Sequence, residues 1–483
     1  MPEIKIIDTT LRDAHQCLWA TRMTTAMMLP VAERMDRAGF ECIDLVGGPQ
    51  FDVCVRYLKE NPWERIRLMR QKVRNTKMQW AQRGKSLLSF DVLPDDVNAL
   101  WLELMARNGI RRVRVNDPLG DSENLLETMH QAKALGMEVV GAIVYCLSPV
   151  HTDEFFAAKT KVLIERGGVD VMMIKDPGGL LTPDRIRTLV PAMLAVMGDV
   201  PLELHSHCIT GLAPLVYLEA VKLGVTLIET SIAPLAQGPA QPATQTMVRN
   251  LRDMGYEINL DDEIVDAVSD HFSAIARHEN LPVGVPAEYD EFHYKHQIPG
   301  GMMENMKFQL KQAGLIDRFD EVLEEASRVF KELGWPVMVT PYSQLVGIQS
   351  VLNVVQGERY KTIPDEVKKY ACGYYGKIVA PVEPNVLDKI ISNGSPNIPL
   401  VPQPLEPALP ALRKKYPNLE DEERLLRYMY PGSQVDDMIG AGPMCTDYQF
   451  EKPIIQLLRE LSARPAVARV HIQTAGLRLD ASH

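Results

Sequence analysis

From the first residues to about position 250, short apolar runs alternate with longer segments of helical period. The short runs predict strands buried on both faces, and the segments between them predict amphipathic helices. The predicted strands span residues 4–8, 42–46, 79–83, 113–117, 139–145, 169–175, 202–207 and 227–231. Strand–helix units repeated about every thirty residues are typical of a (β/α)8 TIM barrel, the fold that we predict. A doubly wound open sheet is the alternative, but no Gly-x-Gly-x-x-Gly loop follows the first strand.

Beyond about residue 255 the alternation stops and helical period dominates. The predicted helices span 260–279, 302–313, 318–333, 340–356, 364–375, 421–430, 434–439 and 451–462. Residues 378–411 are rich in Pro and Asn with little periodicity, which predicts an extended wrapping segment or linker. A possible edge strand follows at 467–473. We therefore predict a barrel domain over residues 1–300 and a mostly helical domain over 301–483.

Composition limits the partners and the location of the protein. The 483 residues carry a formal net charge of −11, spread without long runs of one sign, which argues against nucleic acid or an anionic membrane as a partner. No apolar run is long enough to cross a bilayer, and the N-terminus enters a strand without a signal-peptide pattern. The seven cysteines are scattered and form no Cys-x-x-Cys motif, as expected of reduced thiols. We therefore expect a cytoplasmic protein with no nucleic-acid partner and no membrane insertion.

Chemistry in a barrel of this kind is found at the C-terminal ends of the strands. Lys175 stands at the end of the sixth predicted strand and is followed by Asp176, Pro177 and two glycines. A lysine is costly to desolvate there unless it is paired. It either forms an ion pair with Asp176, the commoner situation for an isolated lysine, or its amine is used in chemistry.

The seventh strand ends in His205 and His207, whose side chains point to the same face because strand residues alternate. Two neighbouring imidazoles suit one divalent metal ion, although packed barrel histidines are an alternative. Asp13, after the first strand, would add a carboxylate ligand. Lys175 cannot bind a metal as an ammonium, whereas a carbamate formed with CO2 is an anionic oxygen ligand. This lysine is therefore either a charge-balancing neighbour or a carbamylated ligand.

Four arginines follow strand ends or open the next helix: Arg12, Arg22, Arg56 and Arg83. Guanidinium groups at the rim of a pocket indicate a substrate that bears a carboxylate. For Arg22 and Arg83 a solvated surface position is an equally good interpretation.

Several long motifs occur in order along the chain: DTTLRDAHQCLWATR, GGPQFDVCVRYLKENPWERIRLMR, MIKDPGGLL, ELHSHCITGL and HQIPGGMMENMKFQL. Through them, residues 3–375 resemble the carboxyltransferase component of biotin-dependent enzymes. That family includes the α subunit of oxaloacetate decarboxylase, the central domain of pyruvate carboxylase and the 2-oxoacid subunit of transcarboxylase. The resemblance implies a barrel followed by a helical funnel, in agreement with the pattern above, and a homodimer.

The resemblance also implies roles for individual residues. The positions that match the family's ligands to a divalent metal (Zn, Mn or Co) are Asp13, Lys175 as a carbamate, His205 and His207. Gln16 and Arg56 match residues that hold a 2-oxoacid such as pyruvate or oxaloacetate, with Arg56 on its carboxylate. Carboxybiotin would lose CO2 and the enolate of the 2-oxoacid would take it up, or the reverse, while the metal polarises the oxoacid.

The sequence departs from the family pattern at three positions. Pro239 stands where the family usually has a threonine that shuttles a proton between biotin and the oxoacid methyl group. Thr244, Gln237 or a water would have to substitute for it, or the substrate differs, or turnover is reduced. Cys208 replaces an aspartate that often follows the two histidines, and Phe90 replaces a tyrosine near biotin.

The chain contains neither an Ala-Met-Lys-Met biotinylation sequence nor an ATP-grasp module. We therefore expect biotin to arrive on a separate carrier protein, with a biotin carboxylase subunit as a further partner. The sequence predicts a metal- and biotin-dependent carboxyltransferase or decarboxylase subunit. Two alternatives stay open: a metal-dependent lyase or Claisen-type aldolase of the same barrel superfamily, and a catalytically silent scaffold subunit of a carboxylase complex, which Pro239 favours.

Overall fold

The structure is a computed structural model that describes residues 2–89, 91–298, 306–307, 310–311, 314–450, 469–474 and 477–482. Eight parallel strands close into a barrel in which each strand pairs with its neighbours along the chain and β8 pairs with β1. The strands are β1 (Lys5–Asp8), β2 (Cys42–Gly47), β3 (Lys77–Arg83), β4 (Arg112–Asn116), β5 (Glu138–Val144), β6 (Val171–Asp176), β7 (Leu202–Ser206) and β8 (Leu227–Thr230). The predicted (β/α)8 barrel is confirmed.

Helices surround the barrel and continue beyond it. They are α1 (His15–Leu18), α2 (Thr25–Arg37), α3 (Gly48–Val53), α4 (Pro62–Lys72), α5 (Asp95–Arg107), α6 (Glu123–Ala134), α7 (Asp153–Gly167), α8 (Pro183–Leu194), α9 (Ala213–Lys222), α10 (Thr244–Asp253), α11 (Asp262–Glu279), α12 (His293–His296), α13 (Phe319–Glu332), α14 (Tyr342–Gln356), α15 (Asp365–Ala371), α16 (Pro384–Asn393), α17 (Leu409–Lys415), α18 (Asp421–Met429) and α19 (Gly432–Gly440). A hairpin of β9 (Arg469–Thr474) and β10 (Leu477–Ser482) follows. The predicted helical C-terminal region is thus confirmed. No helix in the described part of the chain has both the length and the apolar character needed to cross a bilayer.

The interior of the barrel contains both apolar and charged side chains. Ile7, Cys42 and Leu227 form a small buried apolar cluster. Positions on β4, β7 and β8 carry buried charged residues, namely Arg112, Arg114, Glu203 and Glu229. Most barrels of this type fill these layers with Val, Ile and Leu. The charges here compensate one another, because Arg112 pairs with Glu203 and Arg114 with Glu229.

The segment after the barrel docks over the ends of β5 and β6. Gln297 donates through Nε2 to the Leu147 carbonyl at 2.6 Å, and its Oε1 accepts from the Leu147 N–H at 3.1 Å. His293 Nε2 lies 2.8 Å from the Gly178 carbonyl oxygen. These contacts place the start of the C-terminal region beside the loop that follows Lys175.

The last helices return to the barrel. Leu425, Leu426, Val435 and Met438 belong to the same buried apolar cluster as the barrel and its helices. The helices α13 to α16 contribute most of a second cluster, which also includes Leu119, Val144 and Cys146 from the barrel. The predicted boundary between residues 300 and 301 falls among residues that the structure does not describe, and the two-domain division stays a prediction.

One predicted element is wrong in part. Within the predicted extended segment 378–411, residues 384–393 form the helix α16. Pro384 occupies the first turn, where a missing N–H does no harm, and the Glu383 side chain accepts from the Val386 N–H at 3.0 Å. Val386 and Ile390 bury one face. The predicted helices 302–313 and 451–462 lie wholly or largely outside the described residues, and 467–473 lies partly outside them.

Gly179 brings the loops after β6 and β7 into close approach. Its φ is +61°, and a Cβ there would lie 2.6 Å from the His207 carbonyl oxygen. Gly179→Ala therefore adds a backbone clash to the strain of a left-handed residue. We expect it to lower the free energy of unfolding by about 1–3 kcal/mol more than Gly136→Ala does, measured by denaturant titration. Gly136 is the matched control because its φ is +72° and no atom lies within 4 Å of a built Cβ. Equal losses in the two variants would contradict this account.

Candidate active site

The first strand delivers Asp13 into the mouth of the barrel through a wide helical turn. Residues Thr10–Ala14 form a single π-helical segment, a conformation often found at functional sites. Its start is fixed because Thr10 donates from Oγ1 to Asp8 Oδ1 at 2.6 Å and accepts from the Ile232 N–H at 2.8 Å. Asp13 is buried as a result, with only 4% of its surface exposed.

Asp13, His205 and His207 form a compact group of buried donors. The two Nε2 atoms of the histidines lie 3.0 Å apart. Asp13 Oδ2 lies 3.1 Å from His207 Nε2 and 3.5 Å from His205 Nε2. In the described part of the chain these are the three residues whose His, Cys, Asp or Glu ligand atoms all lie within 4.8 Å of one another.

The opposite edge of each imidazole is held by an acceptor. His205 Nδ1 contacts Glu229 Oε2, and His207 Nδ1 lies 2.5 Å from the Pro239 carbonyl oxygen. Neither acceptor can donate, so each Nδ1 carries the proton and each Nε2 turns a lone pair towards the other ring. Two facing lone pairs beside a carboxylate need a positive charge between them. The donor set therefore fits a divalent cation such as Zn²⁺.

Burial and neighbours set the protonation of this group. Burial lowers the pKa of His205 to about 4, although the carboxylates of Glu229 and Asp13 oppose it. For His207 burial also favours the neutral ring, but Cys17 and Asp13 outweigh it and raise the pKa to about 10. Without a cation, a proton on His207 relieves the repulsion between the two Nε2 atoms.

Lys175 lies beside this group on the neighbouring strand. It is opposite His205 in the pairing of β6 with β7 and is only 7% exposed. Burial, and then the positive charge of Arg114, lowers the pKa of Lys175 to about 8. The ion pair with Asp176 is not formed, because that carboxylate accepts from the Leu180 and Leu181 N–H groups at 2.9 Å instead.

Among the described residues, Lys175 has no carboxylate oxygen within 4.0 Å of its amine that would form an ion pair, although the charge of Asp13 still acts on it. Asp176 also accepts from Ser206 Oγ at 2.7 Å. Asp176 therefore fixes the loop, whereas Lys175 lies beside His205, its neighbour in the strand pairing.

The predicted substrate-binding residues differ in whether their polar groups already form contacts within the protein. The amide oxygen of Gln16 is buried and accepts no hydrogen bond from the described residues. Arg12 contacts Asp13 through Nη1. Arg83 is half-buried at the end of β3, where desolvation lowers its pKa, and Nη2 donates to the Leu88 carbonyl at 3.2 Å.

Two predicted arginines lie further out. Arg56 has a side chain that is 42% exposed, and its Nε is 3.5 Å from Asp52 Oδ1. Its guanidinium also lies 5.5 Å from the centre of the Tyr430 ring. Arg22 is exposed and stacks on Tyr57 at 3.7 Å.

Gln241 is a further residue of the site, and no sequence prediction assigned it a role, although its neighbour Pro239 was singled out. Gln241 Nε2 donates to Asp13 Oδ2 at 2.6 Å, and Oε1 accepts from Thr9 Oγ1 at 2.9 Å. The supporting charges Glu229 and Arg114 were not predicted either. The available signal was a charged residue at alternate positions of buried strands, as in RVRVN and LIET.

Two family models and several known proteins match the chain. The family model described as HMGL-like matches residues 121–271, and the Conserved carboxylase domain matches residues 294–438. The chain is 40% identical over 436 residues to a pyruvate carboxylase subunit of Methanocaldococcus jannaschii, covering 89% of this chain and 76% of that protein. It is 37% identical over 397 residues to the 2-oxoglutarate carboxylase large subunit of Hydrogenobacter thermophilus, covering 81% of this chain and 60% of that protein.

A solved structure is similar over nearly the whole chain. The carboxyl transferase domain of Rhizobium etli pyruvate carboxylase with pyruvate and biocytin superposes with a TM-score of 0.83 at 26% identity. The match covers 91% of this chain and 78% of that one.

Zinc addition tests the donor group directly. We expect Zn²⁺ to raise the melting temperature of metal-stripped protein, because a ligand that binds only the folded state stabilises it by about 2.7 kcal/mol at about 100 times its dissociation constant. His205→Ala should abolish the shift in differential scanning calorimetry. His151→Ala, which removes another buried imidazole, should keep it. A full Zn²⁺ shift in the His205 variant would rule out the site.

Proposed function

Because the chain belongs to the carboxyltransferase family of biotin-dependent enzymes, we propose that it is the carboxyltransferase subunit of a pyruvate carboxylase-type enzyme. In the reaction, the N–CO2 bond of carboxybiotin breaks, a C–C bond forms between CO2 and the methyl carbon of pyruvate, and the proton from that methyl passes to biotin. The observation that carries the proposal is the buried group of Asp13, His205 and His207, with Lys175 beside it, at the C-terminal mouth of the barrel. A 2-oxoacid is the class of substrate that this reaction requires.

The proposed ligands of a divalent Zn, Mn or Co ion are Asp13, His205, His207 and Lys175 as its carbamate. When bound, the ion supplies Lewis-acid polarisation of the oxoacid oxygen. The neutral amine of Lys175 attacks CO2, an N–C bond forms and a proton leaves. The pKa of about 8 gives Lys175 a larger neutral fraction near neutral pH than an ordinary lysine has, and no carboxylate among the described residues forms an ion pair with its amine.

Charge balance also favours the carbamate. The charged groups that act most strongly on the Lys175 amine are two buried guanidinium groups and two buried carboxylates: Arg114, Arg12, Asp13 and Glu229. These four groups cancel when ionised, so a divalent cation would add two positive charges to the interior. An anionic carbamate would reduce that excess, whereas an ammonium would increase it, which is far costlier.

The 2-oxoacid needs a group for its carboxylate and a group for its carbonyl. Gln16, Arg12, Arg56 and Arg83 remain the proposed binding residues. Of the arginines, Arg83 has the strongest physical case, because the charge of Asp52 only partly compensates the desolvation of its half-buried side chain, whereas Arg56 is exposed and its Nε lies 3.5 Å from Asp52. Biotin would arrive on a carrier protein that enters the same mouth.

Pro239 supports a second candidate, a subunit whose catalysis is altered and which mainly scaffolds the complex. Its carbonyl orients His207, but its ring offers no hydroxyl for proton transfer. Thr244, one proposed substitute, has its hydroxyl 2.8 Å from that of Thr230 and is buried. We therefore expect proton transfer to limit the rate in this protein.

Decarboxylation of oxaloacetate by the metal-loaded protein, with and without free biotin, separates these candidates. We expect biotin-stimulated turnover in the wild type, loss of at least about 100-fold in Lys175→Ala, and a gain in Pro239→Thr because a hydroxyl is restored. Lys159→Ala, at a half-buried lysine on α7, is the matched control and should keep wild-type turnover. Silence in the wild type with activity in Pro239→Thr would favour the scaffold. Silence in all variants would overturn the proposed activity.

Substitution of single arginines identifies the carboxylate partner. Arg83→Lys keeps the charge but loses the planar fork, so we expect kcat/KM for oxaloacetate to fall by about 10- to 100-fold. Arg56→Lys should change it by less than about threefold, and Arg22→Lys provides the surface control. A larger loss in the Arg56 variant than in the Arg83 variant would transfer the role to Arg56.

A further inference from the structure

Three fully buried charged residues lie in one layer below the candidate metal group. They are Asp44 on β2, Arg114 on β4 and Glu229 on β8, and each is 0% exposed. Arg114 Nη1 donates to both oxygens of Glu229, at 2.7 and 2.9 Å. Its Nη2 is 3.4 Å from Asp44 Oδ2. One guanidinium therefore lies between two carboxylates.

Each of these carboxylates is connected to a different candidate metal ligand, Glu229 directly and Asp44 through Arg12. Glu229 Oε2 contacts Nδ1 of His205. Asp44 Oδ2 lies 3.9 Å from Nε of Arg12, and Nη1 of Arg12 contacts Asp13. These contacts link the imidazole of His205 to the carboxylate of Asp13 through the interior of the barrel, and the two links through Asp44 are electrostatic contacts without a hydrogen bond.

We propose that Arg114 is a positioning residue for the metal group, acting on His205 through Glu229 and on Asp13 through Asp44 and Arg12. The inference rests on the proposed metal site and extends it to a residue that offers the metal no ligand atom. Its planar guanidinium matches this task, because Nη1 donates to both oxygens of Glu229 while Nη2 places positive charge 3.4 Å from Asp44, which the single ammonium of a lysine cannot reproduce.

The cost of burying these charges supports a role beyond packing. A buried ion network is often less stabilising than apolar residues of the same volume, and barrels of this kind usually place apolar side chains in this layer. Glu229 also holds Nδ1 of His205 in its protonated form, and so keeps Nε2 free as a ligand. The geometry thus explains why a carboxylate and a guanidinium occupy positions that Val or Leu would fill.

Zinc affinity of the full chain tests the proposal without any activity measurement. The metal-stripped protein is titrated with Zn²⁺ against a chromophoric chelator, and the melting temperature is recorded in parallel. We expect Arg114→Lys to weaken Zn²⁺ binding by about 10- to 100-fold, the usual effect of changing a residue that orients a metal ligand. Arg65→Lys is the matched control, because Arg65 is equally buried and pairs with Glu60, away from the metal group.

Glu229→Gln provides a second variant that nearly preserves side-chain volume. Its amide can donate to Nδ1 of His205 and so favour the wrong tautomer, and we expect weaker Zn²⁺ binding here too. The positioning role holds if the Arg114 and Glu229 variants lose affinity while the Arg65 variant loses only melting temperature. It fails if the Arg114 and Glu229 variants bind Zn²⁺ like the wild type, or if the Arg65 variant loses affinity equally. If the wild type itself binds no Zn²⁺, the proposed metal site fails and this inference with it.

Discussion

The hydrogen bond between Glu229 and His205 depends on a charge that has no access to water. A carboxylate buried inside a closed barrel is costly unless a cation compensates it, and Arg114 supplies that cation at 2.7 Å. The same guanidinium faces Asp44 on the other side of the barrel. The orientation of the His205 imidazole therefore depends on a buried guanidinium, and the polarity of the barrel interior follows from the need to compensate these charges.

Much of the barrel could be predicted because its strands are short, apolar and evenly spaced, so each is recognisable from local sequence alone. Asp13, Lys175 and the two histidines were found for a similar reason, since they follow strand ends where this architecture places chemistry. Arg114 and Glu229 could not be found in this way. They are 115 residues apart, and each becomes meaningful only when the closed sheet brings the other next to it.

The helix at residues 384–393 shows a different limit. The prolines and asparagines of residues 378–411 suggested an extended chain, yet Pro384 is in the first turn of the helix and Asn393 at its last position, where both are tolerated. Composition alone cannot distinguish a proline that ends a helix from one that begins it. Arg56 illustrates the same problem at the site, because its exposure and the proximity of Asp52 depend on how α3 and the following turn pack. The motif that contains it carries no such information.

The buried ion pairs Arg112–Glu203 and Arg114–Glu229 occupy the barrel interior below the candidate metal group. The proposed metal ion, 2-oxoacid and biotin would therefore all enter from the C-terminal opening, with the ion in the deepest position. The ion would then be loaded first, and an organic ligand above it would hinder its exchange. Turnover would then protect the bound ion from chelators, whereas idle protein would lose it.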